Sequence, residues 1–265
     1  MTASGNTLLT KIIKQFKTYL LICVLASFSS NVIADTKVAD TKNIPVPSSI
    51  SASEVEKYLR GKFEPAKHPA FVKVPIRYAN RKGYYLRAEA FEAFKKMHEA
   101  ARKDKIDLII RSAARNFNYQ RWIWNRKWKE KTKKIPNPKN RVKDILRFSS
   151  MPGTSRHHWG TDIDLNSFNN HWFTHGKGLK LFNWMNDNAH KYGFCRPYTA
   201  KNAKRPTGYN EEKWHWTYQP LSKAMLKDAN GLLTDKKING FAGSEHATSL
   251  AIVKNYVFGV DPSCR

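Results

Sequence analysis

The chain has 265 residues, of which 41% are hydrophobic and 26% are charged. This composition supplies enough apolar side chains for one packed domain, and it excludes both wholesale disorder and a multi-span membrane protein. Forty-seven Lys and Arg residues stand against 21 Asp and Glu residues, a formal net charge of +26. Such a surface attracts polyanions, and charge alone does not choose between nucleic acid, anionic lipid and cell-wall polymer.

The first 34 residues have the pattern of a secretory signal peptide. Three lysines without an acidic residue precede an apolar run over residues 19–26, and the small-residue ending at 32–34 follows. This order predicts export to a periplasmic or extracellular compartment with cleavage before Asp35. The alternative is an uncleaved membrane anchor, although the run is short for a span of ~20 residues. Export favours wall or envelope polyanions as partners over nucleic acid.

Hydrophobic periodicity predicts the elements that follow. Residues 35–52 are polar and aperiodic, so they predict a tether. A capping box at Ser53 and Glu56 predicts a short helix. Further helices are predicted at residues 87–103, 118–131 and 178–192, and strands at residues 107–111, 161–165 and 213–218.

The remaining segments are predicted to be loops and terminal helices. Residues 132–143 predict a basic loop and residues 194–212 a long loop, while helical pieces at 221–229 and 243–256 close the chain. Helices and strands alternate irregularly, which predicts an α+β fold. Trp122, Trp124 and Trp128, interleaved with basic residues, indicate either core positions or a surface for glycan strands and wall polyanions.

Two acidic residues share one face of the predicted strand at 161–165. Asp162 and Asp164 alternate with Ile163 and Leu165, which suit a core, so the carboxylates are expected to face away from it. A turn at Gly160 would fold His157 back over this acidic face.

A second candidate pair lies far downstream, where Glu212 precedes His215 by three residues. Two histidines and one aspartate, with an open fourth position and a nearby glutamate, form the donor set of a catalytic zinc site. The competing interpretation is a His-rich turn beside two solvent-facing acids, and spacing alone leaves both open. The sequence lacks the helical motif His-Glu-x-x-His, which excludes that kind of zinc peptidase.

Several motifs follow one another in a fixed order: Ser112-Ala-Ala-Arg115-Asn-Phe-Asn-Tyr-Gln120, Pro152-Gly153-Thr154, Ser155-x-His157-x-x-Gly160-x-x-x-Asp164 and Glu212-x-x-His215-Trp216. Over residues 85–228 the chain thereby resembles the LAS superfamily of zinc peptidases. Within it, the resemblance is to the VanY-type D-alanyl-D-alanine carboxypeptidases and their L,D-carboxypeptidase relatives.

The resemblance implies a single α+β domain whose small antiparallel sheet, flanked by helices, bears a zinc cleft of the LAS and hedgehog type. It implies one Zn²⁺ ion and assigns a role to seven side chains. The metal ligands are His157, Asp164 and His215; the catalytic base is Glu212; Arg115 stabilises the oxyanion or binds the substrate carboxylate; Ser155 and Gln120 hold the C-terminal end of the peptide.

Two positions leave the ligand assignment open. The family usually has a small residue where this chain has Asp162, and an acid there either competes as a ligand, orients a ligand by hydrogen bonding or faces solvent. His158 adjoins the expected ligand His157, and the spacing to Gly160 favours His157.

The domain plan expected from these patterns has four parts: a signal peptide (1–34), a tether (35–52), a VanY-like peptidase domain (53–228) and a C-terminal extension packed on it (229–265). Cys195 and Cys264 are expected to form a disulfide in an oxidising compartment, the alternative being two free thiols.

The function expected from the resemblance is a secreted, monomeric zinc D,D-carboxypeptidase. It would trim the C-terminal D-amino acid from peptidoglycan stem peptides, and anionic wall or envelope polymers would be further partners. The alternatives are an endopeptidase on the same scaffold and a non-catalytic envelope-binding protein. A nucleic-acid partner is not expected.

Overall fold

The computed structural model describes residues 51–265, so the predicted signal peptide and nearly all of the predicted tether lie outside the described residues. Within this range the α-helices are α1 (Ala52–Leu59), α2 (Ala88–Lys103), α3 (Phe117–Thr132), α4 (Pro138–Ile145), α5 (Gly176–Asn188) and α6 (Gln219–Leu232). The strands are β1 (Phe71–Lys73), β2 (Tyr85–Arg87), β3 (Ile110–Ser112), β4 (Asp162–Leu165), β5 (Phe194–Cys195) and β6 (His215–Tyr218). Across the same residues no helix combines the length and apolar character needed to cross a bilayer.

Two small antiparallel sheets organise the fold. The larger has the order β3-β4-β6-β5, and β1 pairs with β2 in the smaller one. Ile163 of β4 packs in one buried cluster with Phe94 and Met97 of α2 and with Met185 of α5. Each such side chain stabilises the fold by about 1.5–3 kcal/mol when fully buried. The expected α+β class, with a small antiparallel sheet flanked by helices, is confirmed.

Strand β4 differs from its sequence prediction in one respect. Asp162 and Asp164 do face away from Ile163, but they are 0% and 3% exposed rather than solvated. The turn Arg156–Trp159 folds back over their face, because Gly160 adopts the left-handed backbone conformation at φ 72°. A Cβ at this glycine would overlap the ring of Phe71. The interpretation of two solvent-facing acids is therefore wrong.

The predicted basic loop at residues 132–143 is also wrong, because α4 occupies its second half. Asn137 caps this helix by accepting a hydrogen bond from the Asn140 amide at 3.0 Å, and Pro138 takes the first helical position. At the other end of the chain, the helix predicted at 243–256 is replaced by short 3₁₀ and π turns. Ala251, at φ 47°, interrupts any continuous helix there.

The C-terminal segment packs against the rest of the described chain. The Trp124 indole donates to the Ala242 carbonyl at 2.8 Å, and Arg205 donates to the carbonyls of Tyr209 and Gly259. Cys195 and Cys264 form a disulfide across a sequence separation of 69 residues. In the chain-entropy model, closing a loop of that length stabilises the folded state by about 4 kcal/mol.

Candidate metal centre and cleft

Three predicted ligands come together through the register of β4 and β6. Asp164 lies directly opposite His215 in this antiparallel pair. His215 Nδ1 is 3.0 Å from Asp164 Oδ1, and His157 Nε2, on the turn before β4, is 3.2 Å from Asp164 Oδ2. One ligand atom from each residue lies within 4.8 Å of the others, and all three side chains are buried.

Hydrogen bonds on the far side of each imidazole fix which nitrogen carries the proton. His157 Nδ1 lies 2.9 Å from the Ala113 carbonyl, which only accepts, so Nδ1 donates and Nε2 keeps its lone pair. His215 Nε2 lies 2.8 Å from Asp162 Oδ2 and donates to it, which leaves the Nδ1 lone pair toward Asp164. Both lone pairs therefore point toward the same carboxylate.

The atoms at the centre of this cluster lack ordinary partners. His157 Nε2 and Asp164 Oδ1 are buried and make no hydrogen bond, although the ion-pair distances above are short. Buried polar atoms are nearly always hydrogen-bonded, so the convergence of several such atoms without hydrogen-bond partners indicates a cation site. Two imidazole nitrogens and one carboxylate are a donor set that suits Zn²⁺ with one coordination position left open. The residues present fit the metal.

Asp162 supports this cluster from behind. Its carboxylate accepts from Thr161 Oγ1 at 2.7 Å and from Thr217 Oγ1 at 2.6 Å, and it pairs with Arg156 Nε at 3.2 Å. Burial raises the pKa of Asp162, but Arg156 and His215 outweigh burial and hold that pKa well below its usual range. Of the three possibilities that the sequence leaves open, the contacts support the second: Asp162 orients a histidine by hydrogen bonding.

His158 is engaged on both sides by the backbone. Its Nδ1 lies 2.7 Å from the Arg115 carbonyl, and its Nε2 accepts from the Gly153 amide at 3.1 Å. Burial lowers the pKa of His158 to about 3, which keeps the ring neutral. Between the two adjacent histidines, His157 is the one that lies in the cluster, and His158 holds the loop that carries Arg115.

Glu212 lies beside the cluster with its carboxylate in the cleft. Its Oε2 is 3.3 Å from His215 Nδ1, because the turn from 212 to 215 places the two side chains on the same side. Burial raises the pKa of Glu212 against the opposing effect of His215. A carboxylate with a raised pKa binds a proton more strongly, which is the property of a general base.

Arg115 lines the same cleft as Glu212 and is held by Gln120. Arg115 Nη2 is 3.7 Å from Asp164 Oδ2, and its Nη1 donates to Gln120 Oε1 at 3.0 Å. Gln120 is fully buried, and its amide nitrogen donates to the Ser150 carbonyl at 2.8 Å. Ser155 is 1% exposed. Direct contact of Gln120 and Ser155 with a substrate stays a prediction, since protein partners occupy the Gln120 amide.

The cluster opens into a cleft of about 710 Å³. We call β4, β6 and the turn Arg156–Trp159 the floor of this cleft. The α3 wall consists of the helix side chains that line it, namely Tyr119, Trp122, Ile123, Arg126 and Lys127; Tyr198, Tyr209 and Trp214 also line the cleft. Sequence analysis did not identify Lys127, Tyr198 or Tyr209, because nothing in the sequence distinguishes one lysine among so many basic residues or places the tyrosines of a long loop.

The three tryptophans of α3 have different surroundings. Trp122 is 55% exposed and lines the cleft, where it stacks on Tyr119 with 5.9 Å between ring centroids. Trp124 is fully buried, and Arg141 lies over the ring of Trp128 at 4.3 Å. Core and surface positions therefore alternate along this helix, and both interpretations of the Trp-rich segment apply to part of it.

Fold and site together define a class: α+β proteins with a buried His-Asp-His set, suited to a divalent metal ion, at the floor of an open cleft. Residues 83–221, just over half of the chain, match the family model VanY, described as D-alanyl-D-alanine carboxypeptidase. The chain therefore belongs to the VanY family. The resemblance drawn from the sequence motifs is confirmed.

Individual relatives cover part of the chain. It is 27% identical over 143 residues to a D-alanyl-D-alanine carboxypeptidase of Enterococcus faecalis, covering 54% of this chain and 52% of that protein. The chain spans about half the length of the curated relatives it matches. Two similar solved structures are "VanYB in complex with D-Alanine-D-Alanine" and the LdcB LD-carboxypeptidase. Each is 24% identical with a TM-score of 0.48; they cover 63% and 68% of this chain, and it covers 87% and 84% of theirs.

Proposed function

We propose that the protein is a zinc-dependent carboxypeptidase that removes the C-terminal D-amino acid from peptidoglycan stem peptides. Membership of the VanY family supports a peptidase of this kind. The observation that carries the proposal is the buried convergence of His157, Asp164 and His215 at the floor of an open cleft, with Glu212 beside them.

The surrounding residues account for the chemistry such a reaction needs. A bound Zn²⁺ ion supplies Lewis acidity to the floor of the cleft, where His157, Asp164 and His215 would hold it. Glu212 accepts a proton from the attacking water and delivers it to the leaving amine. The Arg115 guanidinium, kept in place by Gln120, offsets the negative charge that develops on the scissile carbonyl oxygen. Asp162 keeps His215 in the tautomer that presents Nδ1.

Two features support action outside the cytoplasm, where stem peptides occur. Residues 1–34 have the composition of a signal peptide. The Cys195–Cys264 disulfide is of the kind that persists in oxidising compartments.

Two variants of the purified, zinc-loaded protein test the proposal on a peptide that ends in D-Ala-D-Ala. Glu212→Ala is expected to retain the metal while turnover falls by about 100-fold or more, because the proton acceptor is lost. His215→Ala is expected to lose both metal and turnover. Metal content by atomic emission and product by mass spectrometry give the two readouts. Unchanged turnover in Glu212→Ala would refute the mechanism, and release of internal fragments rather than one terminal residue would indicate an endopeptidase.

A further inference from the structure

The proposed catalytic base lies at the end of a long irregular loop. Residues 196–212, here called the Glu212 loop, lead from β5 toward β6 and contain no helix or strand. The Glu212 amide donates to the Tyr198 carbonyl at 2.9 Å, and the Tyr198 ring packs on His215 with 4.6 Å between ring centroids. The position of Glu212 beside His215 therefore depends on how the rest of the loop is held.

Arg205 holds the Glu212 loop from its interior. The side chain is 0% exposed, and it donates hydrogen bonds to the carbonyls of Thr207 at 3.1 Å and Tyr209 at 3.0 Å. It also donates to the Thr199 carbonyl in the loop and to the Gly259 carbonyl in the C-terminal segment. A buried guanidinium is costly unless hydrogen bonds satisfy it, so these four carbonyls fix the loop around one side chain.

The C-terminal segment supplies further contacts to the same loop. The Asp261 amide donates to the Pro197 carbonyl at 2.8 Å, and the Thr199 hydroxyl donates to the Asp261 carboxylate at 2.8 Å. Gly208 and Gly259 approach each other closely, since a Cβ on Gly208 would overlap the Gly259 carbonyl. The disulfide between β5 and the end of the chain fastens this segment to the sheet that bears the metal ligands.

We propose that residues 256–264 clamp the Glu212 loop through Arg205 and thereby set the position of the catalytic base. Arg205 acts through Glu212, so it is a positioning residue. Residues 256–264 lie outside 83–221, the part of the chain that matches the family model. The inference rests on the proposed function, because it specifies how the proton acceptor of that reaction is held. With the clamp loosened, Glu212 would lie less often where it can accept a proton from the attacking water.

The test combines Arg205→Met with removal of the base in the zinc-loaded protein, on a peptide that ends in D-Ala-D-Ala. We expect Arg205→Met to keep the metal and to lower kcat by about 10- to 100-fold. In a Glu212→Ala background the same substitution should lower the residual turnover by less than about 2-fold, because the group through which Arg205 acts is already absent. A merely structural defect would lower turnover equally in both backgrounds, and that result overturns the inference.

Arg141→Met is the matched control. Arg141 is also buried, and its guanidinium donates to the backbone carbonyls of Ile135 at 3.0 Å and Pro136 at 2.9 Å, but it does not line the cleft. This variant should lose stability while kcat stays within about 2-fold of the wild type. A fall in kcat as large as that of Arg205→Met overturns the inference, since any buried arginine would then have the same effect.

A milder variant decides the matter where Arg205→Met does not fold. Thr199→Val removes only the hydroxyl that donates to Asp261, so the core of the loop is kept. We expect kcat to fall by about 2- to 5-fold, the range of one hydrogen bond, and to fall no further when Glu212 is already alanine. An unchanged kcat in Thr199→Val overturns the inference.

Amide hydrogen exchange separates this inference from the function on which it rests. In Arg205→Met, or in Thr199→Val where the former does not fold, amides of residues 206–213 should exchange about 10-fold faster than in the wild type, and those of α2 should not change. That result supports the clamp even where the wild type shows no hydrolysis. Unchanged exchange at 206–213, or an equal rise in α2, overturns the clamp and leaves hydrolysis standing.

Discussion

The floor of the cleft and its α3 wall differ in the burial of their side chains and in the number of contacts that hold them. On the floor, Asp162 is held by Arg156, Thr161, Thr217 and His215, and its side chain is fully buried. On the wall, Trp122 is more than half exposed, and the Lys127 ammonium donates a hydrogen bond to Ser149. Hydrogen bonds that orient the ligands from behind suit a metal site, and an exposed wall suits a ligand that binds reversibly.

The same contrast separates two adjacent histidines. His158 uses both ring nitrogens within the protein, whereas His157 uses one and leaves the other toward Asp164. Their burial is nearly the same, 0% and 2% exposed. Burial alone therefore does not identify a metal ligand; the unpaired nitrogen does.

The largest effect on stability is expected for a variant that removes the buried ion pair in the floor of the cleft. Arg156→Leu leaves the fully buried Asp162 carboxylate without its guanidinium, and we expect a loss of about 3–5 kcal/mol in the free energy of unfolding. Urea denaturation of the metal-free protein measures this loss. Arg102→Leu, at an exposed position on α2, is the control and should change stability by less than ~0.5 kcal/mol. A loss below about 1 kcal/mol in Arg156→Leu would mean that the floor does not depend on this ion pair.

A pair of tryptophan variants sharpens the comparison within α3 itself. Trp124→Ala should cost about 3–5 kcal/mol, because the buried indole packs on Phe241 and donates to the Ala242 carbonyl. Trp122→Ala, two residues earlier, should change stability by less than ~0.5 kcal/mol, since that ring faces the cleft. Thermal or urea unfolding of both variants gives the measurement. Similar losses in the two would contradict the division of this helix into a core side and a wall side.

The sequence predicts the floor of the cleft better than the α3 wall, because the patterns that define the floor lie within short segments of the chain. Each element of the floor has a short-range pattern in the sequence. Gly160 predicts a turn, and the alternation around Asp164 predicts one face of a strand. The spacing from Glu212 to His215 predicts that these two side chains are neighbours. The register that sets Asp164 opposite His215 joins distant segments, and only the family motifs indicate it.

The wall depends on contacts between segments that no motif links. Lys127 reaches Ser149 from another element, and Tyr209 lies on a loop fastened by the buried Arg205. The missed helix α4 is a different case, since Asn137 followed by Pro138 is a recognisable start signal. The burial of Asp162 could not be predicted from the sequence. An alternating strand pattern distinguishes two faces, but it does not indicate which segment covers the second face.

Asp162→Asn is expected to weaken metal binding and also to destabilise the fold, because it leaves the buried Arg156 guanidinium without its counter-charge. The amide still accepts from His215 Nε2, but it lacks the charge that makes the imidazole a stronger donor to a cation. We expect zinc affinity to fall by about 10- to 100-fold, measured by competition with a chelating dye. Asp187→Asn, an exposed acid on α5, is the matched control. Unchanged affinity would reduce Asp162 to a purely structural partner of Arg156.

The smallest effect is expected on the outer side of the α3 wall, where Asp144 of α4 pairs with Lys131 and Arg147. The hydrogen bond from Lys131 holds the pKa of Asp144 below its usual range. A lowered carboxyl pKa stabilises the fold at pH values above the unfolded pKa, and that contribution disappears as the pH falls through the folded one. Asp144→Asn should therefore cost about 0.5–1 kcal/mol at pH 6, and the difference from wild type should close below about pH 4.

The dependence on salt tests whether the Asp144 pair stabilises the fold through its charge. Because the Asp144 side chain is partly exposed, 0.5 M NaCl should weaken the difference between wild type and Asp144→Asn. Glu130→Gln, which breaks a solvent-exposed pair with Arg126 on the same helix, should show no measurable difference at either salt concentration. A difference that persists to pH 3, or that salt leaves unchanged, would show that Asp144 acts through packing. The contacts on the outer side of α3 would then stabilise the fold by packing, as the buried contacts of the floor do.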